Sequence, residues 1–161
     1  MRRFQDGQID GVQIRELVLH SDDRGWLCEL FRVDEIESRQ LPSMGYASVT
    51  RVLVTRGPHE HVEQTDRLCF FGPARFFLVL WDNRPGSVTY GVRMRCFVGY
   101  DNPCAVVVPP GVVHAYRNVG DVDGLVVNFP NRLYRGEGCR GAVDEIRHEL
   151  DSHSVFDVDG V

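Results

Sequence analysis

The sequence predicts an all-β fold, a sandwich or barrel held in one domain, and three observations carry that expectation. Short runs rich in Val, Leu, Phe and Tyr recur along the 161 residues; Gly, Pro, Asn and Asp punctuate them; and only two stretches have a helical period. At 43% hydrophobic residues the chain can bury one core, and no fixed repeat, low-complexity tract or long linker divides residues 1–161.

The elements follow in chain order. VQIRELVL and GWLCELFRV read as the first strands, separated by the turn residues of SDDR. VDEIESRQL is the first candidate helix. YASVTRVLVT, RLCFF and ARFFLVLW are the next strands, and DNRPGS closes the last of them with a turn. VTYGVRMRCFV and CAVVVPP flank the turn YDNP, and GLVVNF follows NVGDVDG. AVDEIRHELD is the second candidate helix, with Val143, Ile146 and Leu150 spaced by three and four. SHSVFDVDGV is either a loose tail or a final strand.

Composition excludes several function classes. A net charge of -5 disfavours nucleic-acid partners, because no basic surface is available to neutralise a phosphate backbone. All 18 basic residues are arginine, so a lysine Schiff base and a Walker-type phosphate loop are both ruled out. Arginine is left for every anion contact, which its planar fork suits. The five cysteines contain no C-x-x-C pair and read as free thiols. With no apolar leader and no run of about 18 apolar residues, the expected location is the cytoplasm, without membrane attachment.

The chemistry-bearing stretch is RGPHEHVEQTDRL, Arg56 to Leu68. If it is extended from His59, then His59, His61 and Glu63 project to one side, two imidazoles and a carboxylate on a shared wall. A third histidine, His114, follows the turn at Pro109, Pro110 and Gly111, with Tyr116 two residues later on its face. Three histidines with an oxygen ligand are a mixed donor set for a divalent metal. Strand histidines satisfied by hydrogen bonds are the plainer alternative.

These two stretches resemble the paired motifs of the cupin superfamily, H-x-H with a carboxylate or amide nearby and then P-x-G-x-x-H-x-x-x-N, the second met by Pro109, Gly111, His114 and Asn118. The glutamate of metal-binding cupins lies three or four residues beyond the H-x-H, which here gives Thr65 and Asp66; Glu63 and Gln64 come earlier. More of the chain resembles one branch, the dTDP-4-dehydrorhamnose 3,5-epimerase family. SDDRGWLCELF is similar to its D-x-R-G-F-x-x-E, RGPH to R-G-L-H, LWDNRPGSVTYG to V-D-x-R-x-x-S-P-T-F-G, and VPPGVVHAY to I-P-x-G-x-A-H-G-F.

The resemblance implies a cupin fold, a double-stranded β-helix or jelly-roll barrel with short peripheral helices, as a homodimer acting on nucleotide-linked 4-keto-6-deoxy sugars without a cofactor. It sets His59 as catalytic base, Arg56 as substrate contact, His114 as the motif histidine, and Arg24 and Glu29 as nucleotide contacts. A base near neutral pH and donors aimed at the enolate oxygen suit the removal of a proton next to a ketone. The family's lysine falls on Asp66, or on Arg67 one residue out of register. Its tyrosine falls on Asn128, which can hydrogen-bond an enolate but cannot serve as an acid. Tyr116 and Tyr134 are the candidate substitutes, and Asp144 is the candidate partner of the base. GPHEH also resembles the G-x-H-x-H of 4-keto sugar 3,4-ketoisomerases, in which His61 would shuttle protons with His59. Two further alternatives are a metal-dependent cupin enzyme, with a divalent ion on His59, His61 and His114, and a nucleotide-sugar-binding cupin without catalysis.

Overall fold

A computed structural model describes residues 4–159. Thirteen strands occur among them: β1 (Gln5–Asp6), β2 (Gln13–Glu16), β3 (Leu19–Asp22), β4 (Gly25–Cys28), β5 (Tyr46–Thr50), β6 (Thr55–Glu60), β7 (Asp66–Phe70), β8 (Arg75–Asp82), β9 (Val92–Gly99), β10 (Cys104–Val108), β11 (Val112–Asn118), β12 (Gly124–Asn128) and β13 (Ile146–Arg147). They form a six-stranded sheet, β1-β9-β8-β11-β6-β13, a five-stranded sheet, β2-β10-β7-β12-β5, and the hairpin β3-β4. The two large sheets form the jelly roll that the resemblance implies, within the sandwich or barrel class that the strand runs and turn signals predict.

The core lies between the sheets, and period two decides who enters it. Phe76, Leu78 and Leu80 of β8 meet Leu68 and Phe70 of β7 and Val106 and Val108 of β10, all buried. Each such side chain contributes about 1.5–3 kcal/mol by leaving water. The alternate residues of β8, Val79 and Trp81, face outward and are covered by Phe4 and Phe156. Cys69 of β7 and Ala105 of β10 likewise face outward, beneath Leu17, Leu30 and Phe129.

The two helical expectations are corrected. VDEIESRQL forms two separate 3-10 turns, Val33–Glu35 and Ser38–Gln40. AVDEIRHELD is a short strand, β13, followed by the 3-10 turn His148–Leu150. Its apolar positions Val143, Ile146 and Leu150 are exposed, so no buried face rewards a helix there. The C-terminal stretch is neither strand nor loose tail through residue 159: Phe156 is buried against Trp81 and His148, while Gly160 and Val161 lie outside the described residues. No helix among the described residues is long and apolar enough to cross a membrane.

Candidate active site

One cavity of about 1290 Å³ is lined from both large sheets. β6 and β11 pair antiparallel with His59 opposite His114, which sets their rings 4.3 Å apart. Gly57 makes this pairing possible. It has φ +80°, and a Cβ there would stand 2.5 Å from the His114 carbonyl oxygen. The register shift between His114 and Tyr116 lies beside it. His61 lies just beyond β6, its ring 5.6 Å from that of His59.

The carboxylate that completes the group is Asp66. It opens β7 in the opposite sheet and is 1% exposed. Its Oδ2 lies 3.1 Å from His61 Nε2 and 3.3 Å from His114 Nε2. Its Oδ1 accepts from the amides of Gln64 and Asn128, at 2.8 and 2.9 Å. Glu63, the carboxylate that strict alternation favours, is exposed and pairs with Arg132. The strand ends at Glu60 and the chain turns, so the alternation stops before it.

The charges within the group are unequal. Burial, with His114 and His61 nearby, pulls His59 down to about 2, so its imidazole is neutral. Its Nε2 lies 3.8 Å from Glu145 Oε1, just outside hydrogen-bond reach. Burial opposes charge on His61 as well, but the hydrogen bond and charge of Asp66 prevail and push it up to about 9. Both His61 nitrogens are engaged, Nε2 by Asp66 and Nδ1 by the Asp144 carbonyl. Burial would also raise Asp66, yet His114 and His61 hold its carboxyl well below the usual range. His114 donates from Nδ1 to the Val112 carbonyl at 3.1 Å, and its buried Nε2 stands 3.3 Å from Asp66 Oδ2 without the alignment of a hydrogen bond.

One ligand atom from each of His59, His61, Asp66 and His114 lies within 4.8 Å of the others. Three imidazoles and a carboxylate around one point are a donor set that fits a divalent cation, and the orphaned His114 Nε2 is aimed among them.

The remaining sequence candidates separate. Arg56 lines the cavity, with Nε on Thr50 Oγ1 and Nη2 on the Val49 carbonyl. Tyr116 and Tyr134 line it too, Tyr116 almost fully buried and Tyr134 half exposed. Asn128 stands behind the wall, its amide committed to Tyr46, Asp66 and the Arg67 N–H. Arg67 points away from the cavity, since β7 turns Asp66, Leu68 and Phe70 inward and Arg67 outward toward Arg15 and Glu35. Arg24 and Glu29 do not line their own chain's cavity; they pair with Asp22 and Arg32 on the surface. Asp144 caps the backbone N–H groups of Val62, Glu63 and Gln64, and its neighbour Glu145 is the carboxylate beside His59.

Sequence reading missed Tyr46, Glu145 and four further lining arginines, Arg39, Arg132, Arg135 and Arg147. Only Tyr46 carried a usable signal, through the alternation Tyr46, Ser48, Thr50 toward one face of a strand.

A family profile described as dTDP-4-dehydrorhamnose 3,5-epimerase matches residues 6–141. The spore coat polysaccharide biosynthesis protein SpsL of Bacillus subtilis is 38% identical over 128 residues, 78% of this chain and 82% of that protein. A Haloferax volcanii protein named "Probable low-salt glycan biosynthesis epimerase Agl13" is 34% identical over 128 residues, 78% of this chain and 81% of its own. Among solved structures, a dTDP sugar isomerase from Desulfovibrio desulfuricans G20 superposes with a TM-score of 0.82 at 22% identity, covering 95% of this chain and 94% of that one.

Proposed function

This chain belongs to the dTDP-4-dehydrorhamnose 3,5-epimerase family, and from that premise we propose that it epimerises a nucleotide-linked 4-keto-6-deoxy sugar at C3, C5 or both, with His59 as the base. The observation that carries the assignment is the place of His59 on the cavity wall, its ring 4.3 Å from that of His114 and its Nε2 3.8 Å from Glu145 Oε1.

In this reading His59 takes the proton next to the ketone, and the electron pair moves onto the carbonyl oxygen as an enolate. A base so easily kept neutral is weak on its own. Glu145 corrects this as the proton arrives, since a carboxylate beside a buried imidazolium stabilises the charge in a low-dielectric site. Arg56 is the donor for the enolate oxygen. The arginines of the cavity rim hold the diphosphate by paired, charge-assisted hydrogen bonds. His61 has both nitrogens occupied, which counts against the two-histidine shuttle of a 3,4-ketoisomerase.

Replacement of His59 by Ala is expected to lower exchange of solvent deuterium into the sugar by at least about 100-fold while nucleotide binding persists. Exchange at the parent rate in that variant would remove His59 as the base.

The four converging ligand atoms favour a second reading, a metal-dependent enzyme with a divalent ion on His59, His61, His114 and Asp66. Such an ion would supply Lewis-acid polarisation of the ketone. Elemental analysis separates the two: the leading reading expects full activity in chelator, and the second expects about one ion per chain with activity lost on its removal.

A further inference from the structure

Inversion at a carbon needs a proton delivered to the face opposite the one it left, so one base cannot complete an epimerisation. His59 belongs to β6 of the six-stranded sheet. Directly across from Asn128, on β5 of the five-stranded sheet, stands Tyr46, and its side chain lines the same cavity as His59. The two groups therefore reach the cavity from different walls.

The hydrogen bonds around Asn128 fix which way the Tyr46 hydroxyl works. Asn128 Oδ1 accepts the Arg67 backbone N–H at 3.0 Å, so the amide orientation is determined and Nδ2 is the donor. That Nδ2 donates to Asp66 Oδ1 and to Tyr46 Oη, both at 2.9 Å. The Tyr46 oxygen is thus an acceptor toward the protein, and its own O–H proton is free for the cavity. Although Tyr46 is 46% exposed, its partial burial and then the charge of Asp66 raise the phenol, so it keeps that proton at neutral pH. The other two tyrosines are less suited. Tyr116 is wedged edge-on between Phe70 and Phe76 with its hydroxyl 3.3 Å from Ser48 Oγ, and Tyr134 lies on irregular chain after β12 rather than on a strand of the cavity wall.

Resting on the epimerase reading, we propose that Tyr46 is the proton donor opposite His59, held in place by Asn128. The enolate returns its electron pair to carbon, a new C–H bond forms with the Tyr46 proton, and the phenolate left behind is reprotonated by water. His59 releases the proton it took to solvent.

The test is Tyr46→Phe, which removes one oxygen and keeps the ring. In heavy water with a dTDP-4-keto-6-deoxyhexose, the variant is expected to keep exchanging deuterium into the sugar with retention, because His59 can return a proton to the face it came from. Inverted product should fall by at least about 100-fold. A structural role alone would lower exchange and inversion together. Inversion at the parent rate, or exchange and inversion lost in equal measure, overturns the proposal and leaves the epimerase reading standing. A parent protein that exchanges no deuterium defeats both.

Discussion

His59 and His61 are two residues apart and differ in charge at neutral pH, His59 neutral and His61 cationic, because only His61 has a buried carboxylate within hydrogen-bond reach. Unfolded, both imidazoles titrate near 6.5. His61, raised in the fold, contributes stability that is fully present below 6.5 and lost as pH rises through about 9. His59, lowered in the fold, contributes stability that is present above 6.5 and lost as pH falls toward about 2. Together they favour a stability maximum near 6.5. Thermal unfolding of His61→Asn across this range should flatten on the alkaline side. An unchanged alkaline slope would contradict the charge assigned to His61.

At this scale the sequence showed the three histidines and hid their division of labour. H-x-H and P-x-G-x-x-H mark the residues, but the chain turns after Glu60, so alternation nominated Glu63 where the fold uses Asp66. The choice between Asp66 and Arg67 was a one-residue question of register, and register exchanges the two faces of a strand. Leu68 and Phe70 facing the core settle it in favour of Asp66. Asp144 and Glu145 are adjacent in a segment without periodicity, where sequence gives no means of saying which side chain turns inward.

At the scale of elements, the run YASVTRVLVT reads as one strand and folds as two. Leu53 has φ +61° in the turn after β5, and the chain crosses there from the five-stranded to the six-stranded sheet. That crossing puts Tyr46 and His59 on different walls of one cavity. The C-terminal stretch failed as a helix for an energetic reason: a 3.6-residue period is worth little when every apolar position on it is exposed. As irregular chain and a two-residue edge strand, it delivers Glu145 to His59 and Asp144 to the turn at 62–64.

The hairpin β3-β4 exposes Trp26 and Leu27 by more than half each, an apolar surface that suits the homodimer the family resemblance implies. Light scattering on a gel-filtered sample is expected to give twice the chain mass, and Trp26→Asp with Leu27→Asp should halve it. A monomeric parent protein would contradict the proposed assembly.

At the scale of the whole molecule, two sheets bury a continuous apolar core and leave a large cavity lined from both. The chain is acidic overall, yet it gathers Arg39, Arg56, Arg132, Arg135 and Arg147 around that cavity. Set among the carboxylates of Glu63, Asp66, Glu137, Asp144, Glu145 and Glu149, these arginines offer fork-shaped cationic contacts that net charge does not reveal. Sequence alone conveyed the fold class, because strand runs and turn residues are local signals. It did not convey the cavity's electrostatics, because those arginines come from the turn at 38–40, β6, the chain after β12 and β13, and converge only after folding.

Solvent hydrogen exchange tests the central claim most directly. The purified protein is incubated in heavy water with a dTDP-4-keto-6-deoxyhexose, and label is located by mass spectrometry and NMR. The account predicts deuterium at C3, C5 or both, with inversion at a labelled carbon, and loss of that label in His59→Ala. A sugar recovered without deuterium, or with its ketone moved to C3, would contradict it.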